Sequence, residues 1–461
     1  MLSDENRELT GSPAAPKIFV DATGLLPMAG QPMSGIPRVE EFLLRHAIAD
    51  PDPAVVIVGF DSTSRKFCVL SDMQKSLLVS SWEGARRRNE NPERPVCLGK
   101  IFERVRENSH LARNFDRDMA TQITGGVARG PRYVFFKHLI RGYRLYQKLR
   151  RRLLSSQQPT EPIDPGVGTV LLSSVSIFSS AYFPYTLAAS TWRAFISHDV
   201  IPISNPELAI SERHANRFKK NLTVLLRSGA HPLVASKASM ATLNRFTSER
   251  KLASTPAEKF PMPSLLWEKA KELKRTSRFE AVEPFVIYCS TVESRKNHIL
   301  LARVWARALR EGIRLPQLIC AGKWGWGVEH LSKFISSHPD LPKHVKFVGM
   351  INDSELIDLY RSALFGVFPS RIEGWGFGAA ECLAFGTPVI ISTAPSLNEA
   401  TFNLMPSIDP DNEDGWYDHI RLLSENISAR EALRATIARH YRTVSSKESW
   451  HAIKAIISRA N

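Results

Sequence analysis

The chain has 461 residues, with 61 Lys and Arg against 46 Asp and Glu for a net charge of +15, and 43% of it is hydrophobic. This length exceeds one ordinary hydrophobic core and predicts two or three domains, while the composition excludes wholesale disorder and a small stapled scaffold. The basic balance predicts an anionic partner: nucleic acid, membrane lipid or a phosphorylated substrate. Five scattered cysteines (Cys68, Cys97, Cys289, Cys320 and Cys382) form no CxxC pair, which fits neither a disulfide framework nor a zinc site. The polar, acidic start Met1-Leu2-Ser3-Asp4-Glu5-Asn6 is unlike a secretory leader, and together these features predict a reducing compartment.

Residues 1–16 read as a disordered leader. Lys17-Ile18-Phe19-Val20-Asp21 is a short apolar strand ending in a carboxylate, followed by a Gly- and Pro-rich loop through Ser34-Gly35-Ile36-Pro37-Arg38. Val39, Phe42, Leu43 and Ala47 then recur at helical spacing. The stretch from Val55 to Phe60 is β-branched without alternation, as expected of a strand buried on both faces of a parallel sheet. Residues 170–172, 194–197 and 233–235 read the same way. The uncharged, serine-rich stretch from Pro165 to Trp192 is expected to be buried strand and loop, not a membrane span.

The segment from Trp82 to Ser155 differs, with 18 Lys and Arg against 7 Asp and Glu. Within it Phe136, Leu139, Ile140, Tyr143, Tyr146 and Leu149 recur at helical steps, with Lys137, Arg141, Arg144, Lys148 and Arg150-Arg151-Arg152 between them. This pattern predicts a basic amphipathic helix over 135–154, suited to a membrane surface or to packing on its own domain with a solvated basic face.

A Pro- and Lys-rich connection follows, containing one helix from Leu265. Strands are then predicted at 285–289, 317–320, 345–348, 364–368 and 388–391, with helices at 299–310, 353–362 and 379–385 between them and one helix over 429–460. The expected fold class is α/β with two Rossmann-like doubly wound domains facing a central crevice. Their boundaries read as 17–265 for the first domain with its basic insert at 82–155, 266–283 for the linker, 284–440 for the second domain and 441–461 for a C-terminal helix.

The second domain holds the most informative block, from Phe368 to Ile390. A buried strand ends at Phe368, and a loop containing Gly374 and Gly376 leads to a helix that starts near Gly378 and ends before Gly386. The glycines let backbone N–H groups approach a ligand, and the helix N-terminus favours negative charge. Glu373 lies in the loop and Glu381 about one turn into the helix, so both can face one cavity as acceptors for sugar and ribose hydroxyls. Arg295 and Lys296, directly after the strand at 285–289, place adjacent cations at the same sheet edge, suited to a diphosphate.

These motifs resemble the retaining, nucleotide-sugar-dependent glycosyltransferases of family four, which have the two-domain GT-B fold. Glu373 and Glu381 match that family's paired-glutamate spacing, and Arg295-Lys296-Asn297 matches its Arg-Lys-Asn element. Gly322-Lys323-Trp324-Gly325-Trp326 and Val348-Gly349-Met350-Ile351 resemble its nucleotide-lining segments. Asp21-Ala22-Thr23-Gly24, Gly35-Ile36-Pro37-Arg38-Val39 and His198-Asp199-Val200-Ile201-Pro202 resemble its acceptor-side loops. The resemblance implies that Glu381 binds ribose hydroxyls and that Glu373 contacts the donor sugar near the reacting carbon. It also implies that Arg295 and Lys296 neutralise the leaving diphosphate with backbone N–H groups around Gly35, Gly376 and Phe377, and that His198 covers the donor sugar. Phe377-Gly378 departs from the commoner apolar-proline pair, which removes preorganisation at the first helical position.

Fixed cations and a helix dipole stabilise a departing phosphate, so no metal or other cofactor is expected. Asp116-Arg117-Asp118 and Asp409-Pro410-Asp411 have the short acidic form of metal-dependent transferases, but neither follows a buried strand in a first-domain nucleotide site. Trp324, Trp326 and Trp375 suit sugar stacking or plain packing equally, and Glu399 is expected to start a helix outside the site. The expected function is hexose transfer, with mannose from GDP-mannose favoured, to a glycan or polyprenyl-diphosphate-linked saccharide in surface-polysaccharide synthesis. The expected location is the cytoplasm, peripheral on the inner face of the membrane. The rival function is a non-catalytic scaffold or a nucleic-acid binder. Nucleic acid is not expected, because the aromatics of the basic segment fall at helical spacing and are not interleaved along a binding strip.

Overall fold

The computed structural model describes residues 17–26, 36–61, 66–90, 161–162, 168–172, 192–252, 255–272 and 283–459. The expected leader, the loop residue Gly35, most of the basic insert including the helix over 135–154, and Asp116-Arg117-Asp118 lie outside them.

Two sheets organise the chain. The first contains β1 (Lys17–Asp21), β2 (Val55–Asp61), β3 (Lys66–Val69), β4 (Glu161–Pro162), β5 (Gly168–Leu172), β6 (Trp192–Ser197), β7 (His231–Val234) and β8 (Glu258–Lys259). Their spatial order is β4-β3-β2-β1-β5-β6-β7-β8. All neighbours from β2 to β8 run parallel, while β3 and β4 pair antiparallel at one edge. The second sheet contains β9 (Phe285–Cys289), β10 (Gln317–Ala321), β11 (Val345–Gly349), β12 (Phe365–Phe368), β13 (Val389–Ser392) and β14 (Ser407–Ile408), ordered β11-β10-β9-β12-β13-β14 and parallel throughout. The apolar runs without alternation are therefore strands covered on both faces: β7, β12 and β13 are buried along their whole length.

The chain leaves β9 toward β10 and β11 and returns on the other side of β9 as β12. The loops after β9 and β12 therefore diverge from adjacent strands, opening a crevice at the carboxyl ends. That switch point puts the 290–297 loop beside the 369–376 loop.

One predicted helix is two. The expected element over 429–460 divides into Ile427–His440, on the second sheet's side, and Ser446–Arg459, which returns to the first. Trp450, Ile453, Ile456 and Ile457 are buried in the core formed by the first sheet and helix Ile36–Ile48. Trp450 Nε1 donates to Asp50 Oδ2 at 2.6 Å, and Lys454 Nζ stands 3.0 Å from the same oxygen. No Gly or Pro marks the break. It is set by the second crossing of the chain against the first, where Ser264 N–H donates to the Val444 carbonyl at 2.9 Å. The antiparallel β3 and the helices Glu329–Ser336, Pro395–Ala400 and Glu413–Glu425 were also not predicted.

Candidate functional site

A cavity of about 460 Å³ lies between the two sheets. Of the residues singled out from sequence, Glu373, Glu381, Arg295, Lys296, His198, Gly322, Lys323, Ile351, Gly374, Gly376, Phe377 and Gly378 all line it. Gly349 does not. Its carbonyl accepts the Gly322 N–H at 2.9 Å, so it supports the lining from behind. Gly35 lies outside the described residues.

The loop after β9 is held from beneath. The hydroxyl of Tyr288, a buried β9 residue, donates to the Lys296 carbonyl at 2.6 Å, closing the turn Ser294–Lys296. Asn297 then takes φ +58°, where its side chain donates to the Pro410 carbonyl at 2.9 Å, and helix His298–Arg310 begins. The two cations therefore leave a braced turn. The loop after β12 is tied to it: Arg371 N–H donates to the Arg295 carbonyl at 2.8 Å, and Arg295 Nη1 donates to the Ile372 carbonyl at 3.0 Å.

Glu373 sits between both cations. Its Oε2 accepts from Arg295 Nη1 at 3.0 Å and its Oε1 from Lys296 Nζ. Burial alone would raise the Glu373 pKa, but Lys296 and Arg295 outweigh it and hold the carboxyl at about 2. Burial also lowers Lys296, with Glu373 acting against that shift. Arg295 is held in addition by Glu293, 2.7 Å from its Nε.

Glu381, on helix Phe377–Ala384, has the opposite character. Burial pushes its carboxyl up to about 7, against the pull of Arg38 and the hydroxyl of Tyr360, which donates to it at 2.9 Å. Two carboxylates eight residues apart thus face one cavity, one firmly ionised and one poised to titrate near neutrality.

The glycines of this block are explained by close approach of the protein to itself. A Cβ on Gly374 would lie 2.5 Å from the His198 carbonyl oxygen, and one on Gly378 would lie 2.5 Å from Phe368 and 2.7 Å from the Cys289 carbonyl oxygen. Only glycine lets the loop and the helix start seat this deeply.

From the first sheet, His198 follows β6. Burial lowers its pKa to about 4, leaving a neutral ring, and its Nε2 has no hydrogen-bond partner among the described residues. Trp326 Nε1 donates to the Leu208 carbonyl at 3.1 Å across the crevice, whereas Trp324 is 39% exposed and packs against Phe347. Asp409 and Asp411 lie away from this cavity, and Asp411 pairs with Arg371 at 2.6 Å. Glu399 ends helix Pro395–Ala400 where it was expected to start one, and it reaches the first half of the chain. Among the described residues no group of three or more His, Cys, Asp or Glu is arranged to hold a metal ion.

Sequence alone gave no individual role to Arg38, Asp199, Glu293 or Asp353, which also line the cavity. Arg38 and Asp353 pair at 2.5 Å, with Lys269 on the other Asp353 oxygen. The available signals were membership of a quoted motif for Arg38 and Asp199, adjacency to one for Glu293, and the Asn352-x-x-Glu355 capping box that opens helix Asp353–Ser362. None of these signals reveals a partner hundreds of residues away.

Residues 269–440 match the sequence model of the family Glycosyl transferases group 1. The chain is 28% identical over 251 residues to the serotype-specific mannosyltransferase WbdA of Escherichia coli, a match covering 50% of this chain and 28% of WbdA. It is 30% identical over 156 residues to the O-antigen chain mannosyltransferase B of Escherichia coli, covering 34% of this chain and 40% of that protein. The matches thus span less than half the length of either relative. The fold superposes on Anabaena Alr3699/HepE, solved in complex with UDP and glucose, with a TM-score of 0.51 and 13% identity over 96% of this chain and 99% of that one. The two facing, mainly parallel sheets are the GT-B fold, and residues 269–440, which carry the second sheet, match the group 1 glycosyl transferases in sequence.

Proposed function

We propose that the protein is a retaining glycosyltransferase that moves a hexose from a nucleoside-diphosphate sugar to a saccharide acceptor in surface-polysaccharide synthesis. The observation that carries this is one cavity between two doubly wound sheets, in which Glu373, Glu381, Arg295, Lys296 and His198 converge. In this reading Glu381 accepts ribose hydroxyls, and Glu373 faces the donor sugar near the bond that breaks. Arg295, Lys296 and the N-terminus of helix Phe377–Ala384 stabilise charge on the departing diphosphate. His198 covers the sugar from the acceptor side as a neutral ring. Fixed cations do this work without a metal.

The donor we favour is GDP-mannose, because the relatives named above are mannosyltransferases. The acceptor we favour is a lipid-linked saccharide met at the inner face of the cytoplasmic membrane, reached through the basic amphipathic segment 135–154. No described helix is long and apolar enough to cross a membrane, and the contact we propose is peripheral.

The test is thermal stability against GDP, UDP, dTDP, ADP and CMP, each with and without EDTA. A ligand at about a hundredfold its dissociation constant adds ~2.7 kcal/mol, a shift of several degrees. A GDP shift unchanged by EDTA supports both donor class and metal independence. A UDP or dTDP shift replaces the donor alone, and no shift with any nucleotide removes the transferase reading.

A further inference from the structure

We propose that Ser236, Ser239 and Glu399 form a latch that closes the crevice and positions Glu373 for transfer. The importance of Glu373 rests on the function proposed above, whereas the latch itself rests on geometry alone.

Ser236 N-caps helix Lys237–Glu249, and its Oγ accepts the Ser239 N–H at 3.0 Å. A hydroxyl that accepts a cap bond still has its one proton to give. Ser236 Oγ stands 2.8 Å from the Gly374 carbonyl oxygen and 3.1 Å from Ser239 Oγ, so its proton takes the shorter contact across the crevice, and Ser239 Oγ stands 3.3 Å from the same carbonyl. Both serines are buried. The next amide of this helix, Lys237 N–H, donates to Glu399 Oε2 at 2.7 Å, and Lys259 Nζ reaches Glu399 Oε1 at 2.6 Å. First-turn amides lack intrahelical partners and carry the positive end of the helix dipole, so a carboxylate is favoured there.

The grip passes directly to the site. Ser396, on the same short helix as Glu399, donates its hydroxyl proton to the Glu373 carbonyl at 2.8 Å. Consecutive carbonyls, those of Glu373 and Gly374, are thus held by serines from opposite halves of the molecule. Arg295 and Lys296 restrain the Glu373 carboxylate, and the latch sets the backbone from which it projects. A cap that served only its own helix would be satisfied within the first half. Here both the cap proton and the first free amide are engaged by the second.

The test uses the full chain with Ser236→Ala/Ser239→Ala, Glu399→Gln and Ser236→Thr. It reads donor kcat and KM, GDP and UDP affinity by calorimetry, and radius of gyration by small-angle X-ray scattering. Each disrupting variant is expected to lower kcat about tenfold or more, as for loss of one charge-assisted contact in Glu399→Gln and of two neutral hydroxyl–carbonyl hydrogen bonds in the serine pair, with nucleotide affinity moving less than about twofold. The radius of gyration rises in both, and Ser236→Thr, which keeps the hydroxyl, retains wild-type values. Wild-type turnover and radius in both disrupting variants overturn the latch. So does a fall in thermal stability with kcat and nucleotide affinity moving together and the radius unchanged, the signature of an ordinary cap. If the wild type transfers no sugar, the transferase function fails and scattering still decides the latch: expansion upholds it and an unchanged radius overturns it.

Discussion

The guanidinium of Arg38 and the carboxylate of Asp353 meet at 2.5 Å across the crevice, although 315 residues separate them in the chain. Arg38 Nη1 also lies 3.8 Å from Glu381 Oε1, so one part-buried cation serves two acids of the second half. The carboxyl proposed to hold the ribose therefore has its charge state set partly from the other half of the molecule.

A pH dependence follows for Glu381. Its ordinary value is 4.5 and burial raises it to about 7 in the folded chain. Between those values the folded state binds more protons than the unfolded one, so this group's contribution to stability falls as pH rises through the window. Glu381→Gln removes that slope, which is read as the difference in thermal midpoint between variant and wild type from about pH 5 to about pH 8. Nucleoside-diphosphate affinity runs the other way, strengthening through neutrality as the carboxylate ionises, and is flat in Glu381→Gln. Arg38→Met removes a cation that lowers the Glu381 pKa, and so moves the midpoint of the affinity curve to higher pH. A pH-independent affinity in the wild type would remove the assigned ribose role.

Glu373 competes with a diphosphate for Arg295 and Lys296, because it occupies both in the closed crevice. Glu373→Gln takes the carboxylate from two part-buried cations, of which Arg295 keeps Glu293 and Lys296 loses its salt-bridge partner, and breaking a fully buried pair of this kind costs up to about 3–5 kcal/mol. The expected result is a lowered thermal midpoint, tighter binding of inorganic pyrophosphate than in the wild type, and loss of transfer. Titration calorimetry with pyrophosphate checks it. Weaker pyrophosphate binding would mean that Glu373 aids phosphate capture and does not restrain it.

Gly374→Ala introduces a Cβ 2.5 Å from the His198 carbonyl oxygen and 2.9 Å from Asp199 Cβ. Backbone on one side and the Cβ of Asp199, fixed close to its own main chain, on the other leave little room to yield, so overpacking of about 1–3 kcal/mol is expected, relieved by opening the crevice. Scattering should show expansion, and thermal denaturation a lower midpoint. An unchanged radius with unchanged stability would show that the close approach of loop and His198 is not a constraint.

The parts of this molecule legible in the chain are those written locally. Unalternated apolar runs such as Phe285–Cys289 and Phe365–Phe368 declare parallel strands, because strands covered on both faces have no polar side to display. The eight-residue interval from Glu373 to Glu381 spans one loop and one helical turn, so their convergence is also a local matter. Arg295 and Lys296 were recognisable because they directly follow a strand whose carboxyl end must face the crevice.

The remainder depends on contacts between distant segments. No spacing rule pairs Arg38 with Asp353, carries the Ser236 proton to Gly374, or breaks the last helix between His440 and Ser446 at a crossing with no Gly or Pro to mark it. Nor does composition show that Glu373 is locked by the cations expected to serve the substrate, or that Glu381 is not. The sequence by itself determined two doubly wound sheets and the two carboxylates, two cations, His198 and glycine loop that meet in the crevice between them. Only the tertiary structure decided their pairings and charge states, because burial and long-range partners set them, and neither is a property of neighbouring residues.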